Sequence, residues 1–158
     1  MQVFVRAVCT ATLGACEGAL QAFIEIAKTR QVGPNKMKND PYARQLAAEV
    51  RASIEEMKLT MVRNFDAMME SCRAGEPIPL DDRVRYRYDS AVVADRCLEL
   101  SSRMLKAAGS GGIRQGSELL EFHLDMLASQ AHVANHSTPF ANNMGGVMFG
   151  EENVDYAI

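Results

Sequence analysis

Four long stretches with apolar residues every three or four positions are separated by short breaks, and nearly every break carries a helix stop or start signal. The first stretch runs from Val3 to Arg30 and then meets Gly33, Pro34 and Asn35 in QVGPNKMKND. Asp40 is a good N-cap with Pro41 at the first helical position, opening a helix over 41–73. At a rise of about 1.5 Å per residue it is roughly 50 Å long. Pro79 with Asp81 and Asp82 opens a third helix over 81–108, which GSGGIRQG ends. Ser117 is placed to cap a fourth, 117–137, expected to stop before Pro139. Residues 138–158 read as a tail, mostly loop, with room for one short helical turn. Long helices joined by short loops favour antiparallel neighbours. The expected fold is therefore all-α: an antiparallel up-down-up-down four-helix bundle, one domain over 1–158.

Side-chain patterning refines this. In the second helix Ile54, Met57, Met61, Phe65, Met68 and Cys72 form one apolar stripe, while Glu49, Glu56, Arg63 and Glu70 mark a solvated face. The first helix is apolar nearly all round. Ala11, Ala15 and Ala19 form one small-residue ladder and Gly14, Gly18 and Ala22 another, which suits close approach by a second helix. That helix belongs either to the same chain, around a central packed α1, or to another copy at an oligomer interface. RVRYRY, from Arg83 to Tyr88, reads as a solvated arginine face near a helix start in preference to a nucleic-acid patch.

Charge and cysteine usage narrow the partners. A net charge of -3 gives no general attraction to nucleic acid or anionic membrane. The apolar start is interrupted by Arg6 and Glu17 and lacks the form of a leader, so a cytoplasmic location is the expectation. Cys9, Cys16, Cys72 and Cys97 sit singly in apolar segments, with no CxxC pair, and read as reduced core residues.

All three histidines, His123, His132 and His136, fall within ELLEFHLDMLASQAHVANHSTPF. On a continuous helix His132 and His136 share a face with Asp125 and Glu121, whereas His123 points away. A metal site is disfavoured. HExxH is missing, and Leu120, Ser129 and Val133 stand where a diiron bundle needs glutamate three residues before histidine. Without further information the row is a solvent face with occasional ion pairs.

Taken together, RAVCTATLGACEGALQAFIEIAKTR, the three helices after it, the AAGSGGI turn and the HVAN ending resemble the C-terminal helical domain of the acyl-CoA dehydrogenase superfamily. The resemblance is to the branch of flavin-dependent monooxygenases supplied with reduced flavin by a partner reductase. It implies that His132 lies beside flavin and substrate, as a base or as a hydrogen-bonding group to a flavin hydroperoxide or substrate hydroxyl, with Asn135 in the substrate contact. It also implies that Ser110, Gly111 and Gly112 approach a flavin and that Arg30 reaches a neighbouring subunit's flavin phosphate. Alone, GSGGIRQG is a helix stop and Arg30 an exposed terminal arginine. One position departs from the family pattern, with Leu124 where an arginine precedes Asp125.

The same resemblance sets what the chain is expected to do. Neither an N-terminal helical domain nor a middle β-domain is present in it, so the chain supplies an oligomer core and one wall of the site and does not hydroxylate alone. The cofactor implied is reduced FMN or FAD, with none held tightly by this chain; the partners are further copies, in a dimer or tetramer, and a flavin reductase. The alternative is a stand-alone, non-enzymatic helical module for oligomerisation or binding.

Overall fold

The structure is a computed structural model describing residues 2–158, with the side chains of all but Gln2 and Val5. Helix α1 covers Gln2–Thr29, α2 Pro41–Ala74, α3 Leu80–Ala108 and α4 Glu118–Gln130. A fifth helix, α5, occupies Ser137–Met148. Between α1 and α2 a two-stranded antiparallel ribbon pairs β1, Gln31–Val32, with β2, Asn35–Lys36. Gly33 takes the positive φ of 59° that its tight turn requires. Apart from that ribbon the regular secondary structure of the described residues is helical.

Local chemistry sets most helix ends. The Asp40 carboxylate accepts the Ala43 amide at 3.0 Å, with Pro41 at the first position, as expected. Gly75 closes α2 in the left-handed region at φ 70°. Ser117 precedes α4 but makes no side-chain cap bond.

Helices α1 and α3 make the central pair; α2 packs on both from one side and α4 on both from the other, while α5 lies mainly on α3. This explains the apolar circumference of α1, of which Arg6–Thr29 is long and apolar enough to cross a membrane. Cys9, Leu13, Cys16, Leu20 and Phe23 are all in the core. From α2, Leu46, Val50, Ile54, Met57 and Met61 meet them. The expected stripe is thus confirmed through Met68, with Phe65 partly buried against the core, whereas Cys72 at its end is exposed. The other three cysteines are buried and free. Burial raises the Cys9 thiol to about 11, and contact with Cys16 together with burial pushes Cys97 well above the usual thiol range.

The fourth helix and the tail differ from the sequence expectation. Helix α4 ends at Gln130, not at 137. Pro139 lies inside the first turn of α5. In that turn no amide is needed for a helical bond, so proline favours the start of a helix there instead of stopping the one before.

Candidate functional site: a groove at His132 and an arginine over a glycine turn

His132 stands outside any α-helix. Its backbone is extended, at φ -72° and ψ 134°, and it precedes a 3-10 turn over Val133–Asn135. His136, also extended, follows that turn. The helical row of Glu121, Asp125, His132 and His136 is therefore broken after Asp125. The turn nevertheless returns both histidines to one groove of about 390 Å³. Val8 of α1, Arg87 of α3, Phe140 of α5 and the C-terminal residues Asp155 and Tyr156 complete its lining. Most of the surface is apolar side chain, so the few polar groups there decide orientation.

The ring of His132 is fixed by its own turn, since its Nδ1 accepts the Ala134 amide at 3.1 Å. A neutral imidazole has one donor and one acceptor nitrogen. With Nδ1 committed as acceptor, the proton sits on Nε2, and neutral His132 offers Nε2–H as a hydrogen-bond donor. A general base at Nε2 would need the other tautomer and would lose the Ala134 bond.

Asn135 is fully buried and does not line this groove. Its Nδ2 donates to the Ser129 carbonyl and Oγ, both at 3.0 Å, and closes the end of α4. The Asn135 Oδ1 is buried without a partner. Asn135 thus caps α4, because the turn that exposes His132 rotates the residue three positions later inward.

His123 is separate, between α4 and α3. Ser101 Oγ donates to the Leu98 carbonyl at 2.9 Å and so accepts from His123 Nδ1 at 2.8 Å, the opposite tautomer to His132. Burial lowers the His123 pKa from its ordinary 6.5. The folded chain therefore takes up that proton less readily than the unfolded chain. Stability from this group is complete above pH 6.5 and declines as pH falls through that value toward the lower folded pKa. His123→Gln is expected to flatten this part of the acid dependence, measured by urea midpoints at about pH 7.5 and about pH 5.5.

The second feature lies at the opposite end of α4. Arg30, just past α1, is half-buried, and its guanidinium packs on the turn after α3. A Cβ built on Gly109 would stand 2.8 Å from Arg30 Nη2, and one on Gly111 would stand 3.6 Å from Nη1. Gly109 has φ 56°, so both space and backbone require glycine there. Arg30 Nη1 is buried without a hydrogen-bond partner. Of the three turn residues expected to approach a cofactor, Ser110 is exposed and Gly111 half-exposed. Gly112 is buried, and its amide is spent on the Gly109 carbonyl at 2.9 Å, so it presents no donor. The turn also ends six residues before α4 begins, too far to share that helix's N-terminal dipole.

These two features are separated by α4, whose 13 residues span about 20 Å. Residues 7–137 match the family model of the acyl-CoA dehydrogenase C-terminal domain. The chain belongs to that family. This acyl-CoA dehydrogenase C-terminal domain is 26% identical over 126 residues to the flavin-dependent monooxygenase, oxygenase subunit HsaA, of Rhodococcus jostii, covering 78% of the chain and 33% of that protein. Its fold superposes on the HsaA monooxygenase of Mycobacterium tuberculosis with a TM-score of 0.88 at 22% identity, over 99% of this chain and 40% of the other. XiaF from Streptomyces, solved in complex with FADH2 and glycerol, gives 0.89 at 17% identity over 98% and 40%. The chain thus spans about a third of the length of the relatives it matches.

Sequence reasoning missed the floor of the groove in this domain. RVRYRY was assigned to a solvated face, yet Arg87 is only 3% exposed. Its neighbours along the helix, Val84, Ala91 and Ala94, are buried as well. Extending the 3.6-residue period back from Ala91 and Ala94 places Arg87 on the inner face, a signal that the strand-like alternation obscured. Among the described residues no group of three or more His, Cys, Asp or Glu side chains is arranged to hold a metal ion.

Proposed function

We propose that this domain forms one wall of a flavin-dependent hydroxylation site in a larger acyl-CoA dehydrogenase-type assembly and is inactive alone. The observation that carries the reading is Arg30 Nη1, a buried guanidinium donor with no protein partner, set over a glycine turn in which Gly109 leaves no room for a side chain. A phosphate oxygen of a flavin satisfies such a donor. Arg30, Ser110 and Gly111 would hold the phosphate end, and His132 would face the reacting end. Reduced flavin, when bound, supplies the electrons that activate oxygen for hydroxylation. His132 directs its Nε2–H at an oxygen atom in the groove, and the apolar walls around it exclude water.

The roughly 20 Å between the two features suits a homo-oligomer in which they serve different flavins, one domain lending Arg30 to a neighbour's cofactor. A dimer or tetramer meets this requirement, with a separate reductase providing reduced flavin. The flavin-dependent monooxygenase relatives support the general cofactor class.

Fluorescence titration of the isolated chain with FMN, FAD and their reduced forms tests the reading. Expected is weak binding, with dissociation constants above about 10 μM, weakened a further ~10-fold or more by Arg30→Ala, as fits loss of a hydrogen bond to a charged group. Submicromolar binding by a monomer would overturn the idea of a partial wall, and indifference to Arg30→Ala would remove Arg30 from it. A second reading, a non-enzymatic oligomerisation module, draws on the apolar groove of about 570 Å³ between α1 and α2, lined by Leu13, Gly14, Met61, Val62 and Phe65. A stable oligomer by sedimentation combined with no flavin response would favour it.

A further inference from the structure

Arg87 lines the His132 groove without belonging to any expected set of site residues. Its Nη1 donates to the Ala134 carbonyl at 2.9 Å. Its Nε stands 3.6 Å from Asp155 Oδ2, and its guanidinium carbon lies 3.4 Å from the centre of the Phe140 ring. The three partners come from the turn after His132, the C-terminal segment and α5. All three line the groove.

The arrangement is a poor way to gain stability. Arg87 Nε and Asp155 Oδ2 are both buried without a hydrogen bond, so the ion pair recovers little of the cost of taking two charges out of water. What a planar cation offers here is direction: one rigid fork sets three separate segments in register. The C-terminal segment is organised to meet it. Asn143 donates to Asn153 Oδ1 at 2.9 Å and accepts the Val154 amide at 2.8 Å. Asp155 Oδ1 accepts the Ala157 amide at 2.8 Å, leaving Oδ2 toward Arg87.

We propose that Arg87 is the positioning residue of this groove, holding the turn that orients His132 and, through Asp155, the C-terminal segment that forms the facing wall. The link to His132 passes through one residue. Ala134 gives its amide to His132 Nδ1 and its carbonyl to Arg87 Nη1, so the group that fixes the imidazole is itself fixed from below. The inference deepens the function proposed above and rests on His132 being the site-facing group.

The test uses the flavin-free chain, labelled with nitrogen-15. Wild type is expected to show a scalar coupling between the Ala134 amide nitrogen and His132 Nδ1, the Nε2–H tautomer, and slow amide exchange at 154–157. Arg87→Met should abolish the coupling and mix the tautomers, with exchange in the C-terminal segment faster by about tenfold or more, because Asp155 is left as a buried charge without its ion-pair partner. Asp155→Asn should speed that exchange alike and leave the His132 coupling in place. Arg87→Lys, with a compact charge but no planar fork, should recover part of the C-terminal protection and not the coupling; it carries the test if Arg87→Met does not fold. A coupling absent in wild type, or persisting in folded Arg87→Met and Arg87→Lys, overturns the proposal. Because no readout involves flavin, failure of flavin binding leaves this result intact, and the converse holds.

Discussion

Arg6→Ala is expected to lower the melting temperature by roughly 8–16 °C, the equivalent of about 4 kcal/mol in a chain of this size. Arg6 has no exposed surface, although it interrupts the most apolar helix of the protein. Its Nε donates to Ser90 Oγ at 3.0 Å and its Nη1 to Met68 Sδ at 2.8 Å. The guanidinium also lies 5.3 Å from the Tyr86 ring centre and 5.7 Å from that of Phe65. One side chain from α1 therefore joins α2 and α3. Burial lowers its pKa, and the nearby Asp89 carboxylate opposes that shift. Truncation removes these contacts and leaves a cavity between three helices that cannot collapse independently. Differential scanning calorimetry reads the effect. Thr10→Ala, one turn along on the exposed side, is the control and should move the midpoint little. A drop below about 3 °C for Arg6→Ala would mean that α2 and α3 hold together here without it.

Legibility of the sequence followed the range of the interactions involved. Helices α1 to α3 were readable because their limits are local: Asp40 with Pro41, Gly75, and the glycines after Ala108 act within one turn. The end of α4 was not readable in the same way. Leu127, Ala128 and Ala131 are good helix formers, and the break after Gln130 is secured instead by Asn135 reaching back to Ser129 and by Arg87 from α3 holding Ala134. The first is a polar side-chain bond that leaves no mark on apolar periodicity, and the second joins positions 47 residues apart, beyond any periodicity window. The same holds for the site. Arg30 and the glycine turn were named from resemblance, and their contact emerges only when α1 and α3 pack side by side. His132 lines a groove, but from an extended position after α4 and not from a helix face, which commits its Nδ1 to the Ala134 amide. Asp155 carries no signal of its own, because its value depends wholly on a buried arginine from another helix.

Gly18→Leu should be nearly as damaging as the loss of Arg6, by about 3 kcal/mol, and for the opposite reason. The two small-residue ladders of α1 look equivalent in sequence, but the fold uses them differently. A Cβ on Gly18 would fall 2.4 Å from Phe122 Cζ, with two further ring atoms within 2.8 Å, so α4 sits directly on this glycine. Phe122 is itself partly buried and packed against the core, so displacing its ring costs packing there. A Cβ on Gly14 meets nothing within 4 Å. Gly14→Ala therefore keeps only the helix-propensity gain and should stabilise by up to about 1 kcal/mol. Urea unfolding of both variants provides the comparison, and Phe122→Ala in the Gly18→Leu background should restore part of the loss by making room. Equal tolerance at the two glycines would show that α4 does not rest on α1 at Gly18. The His132 turn at the end of α4 would then lose the support that places it over the groove.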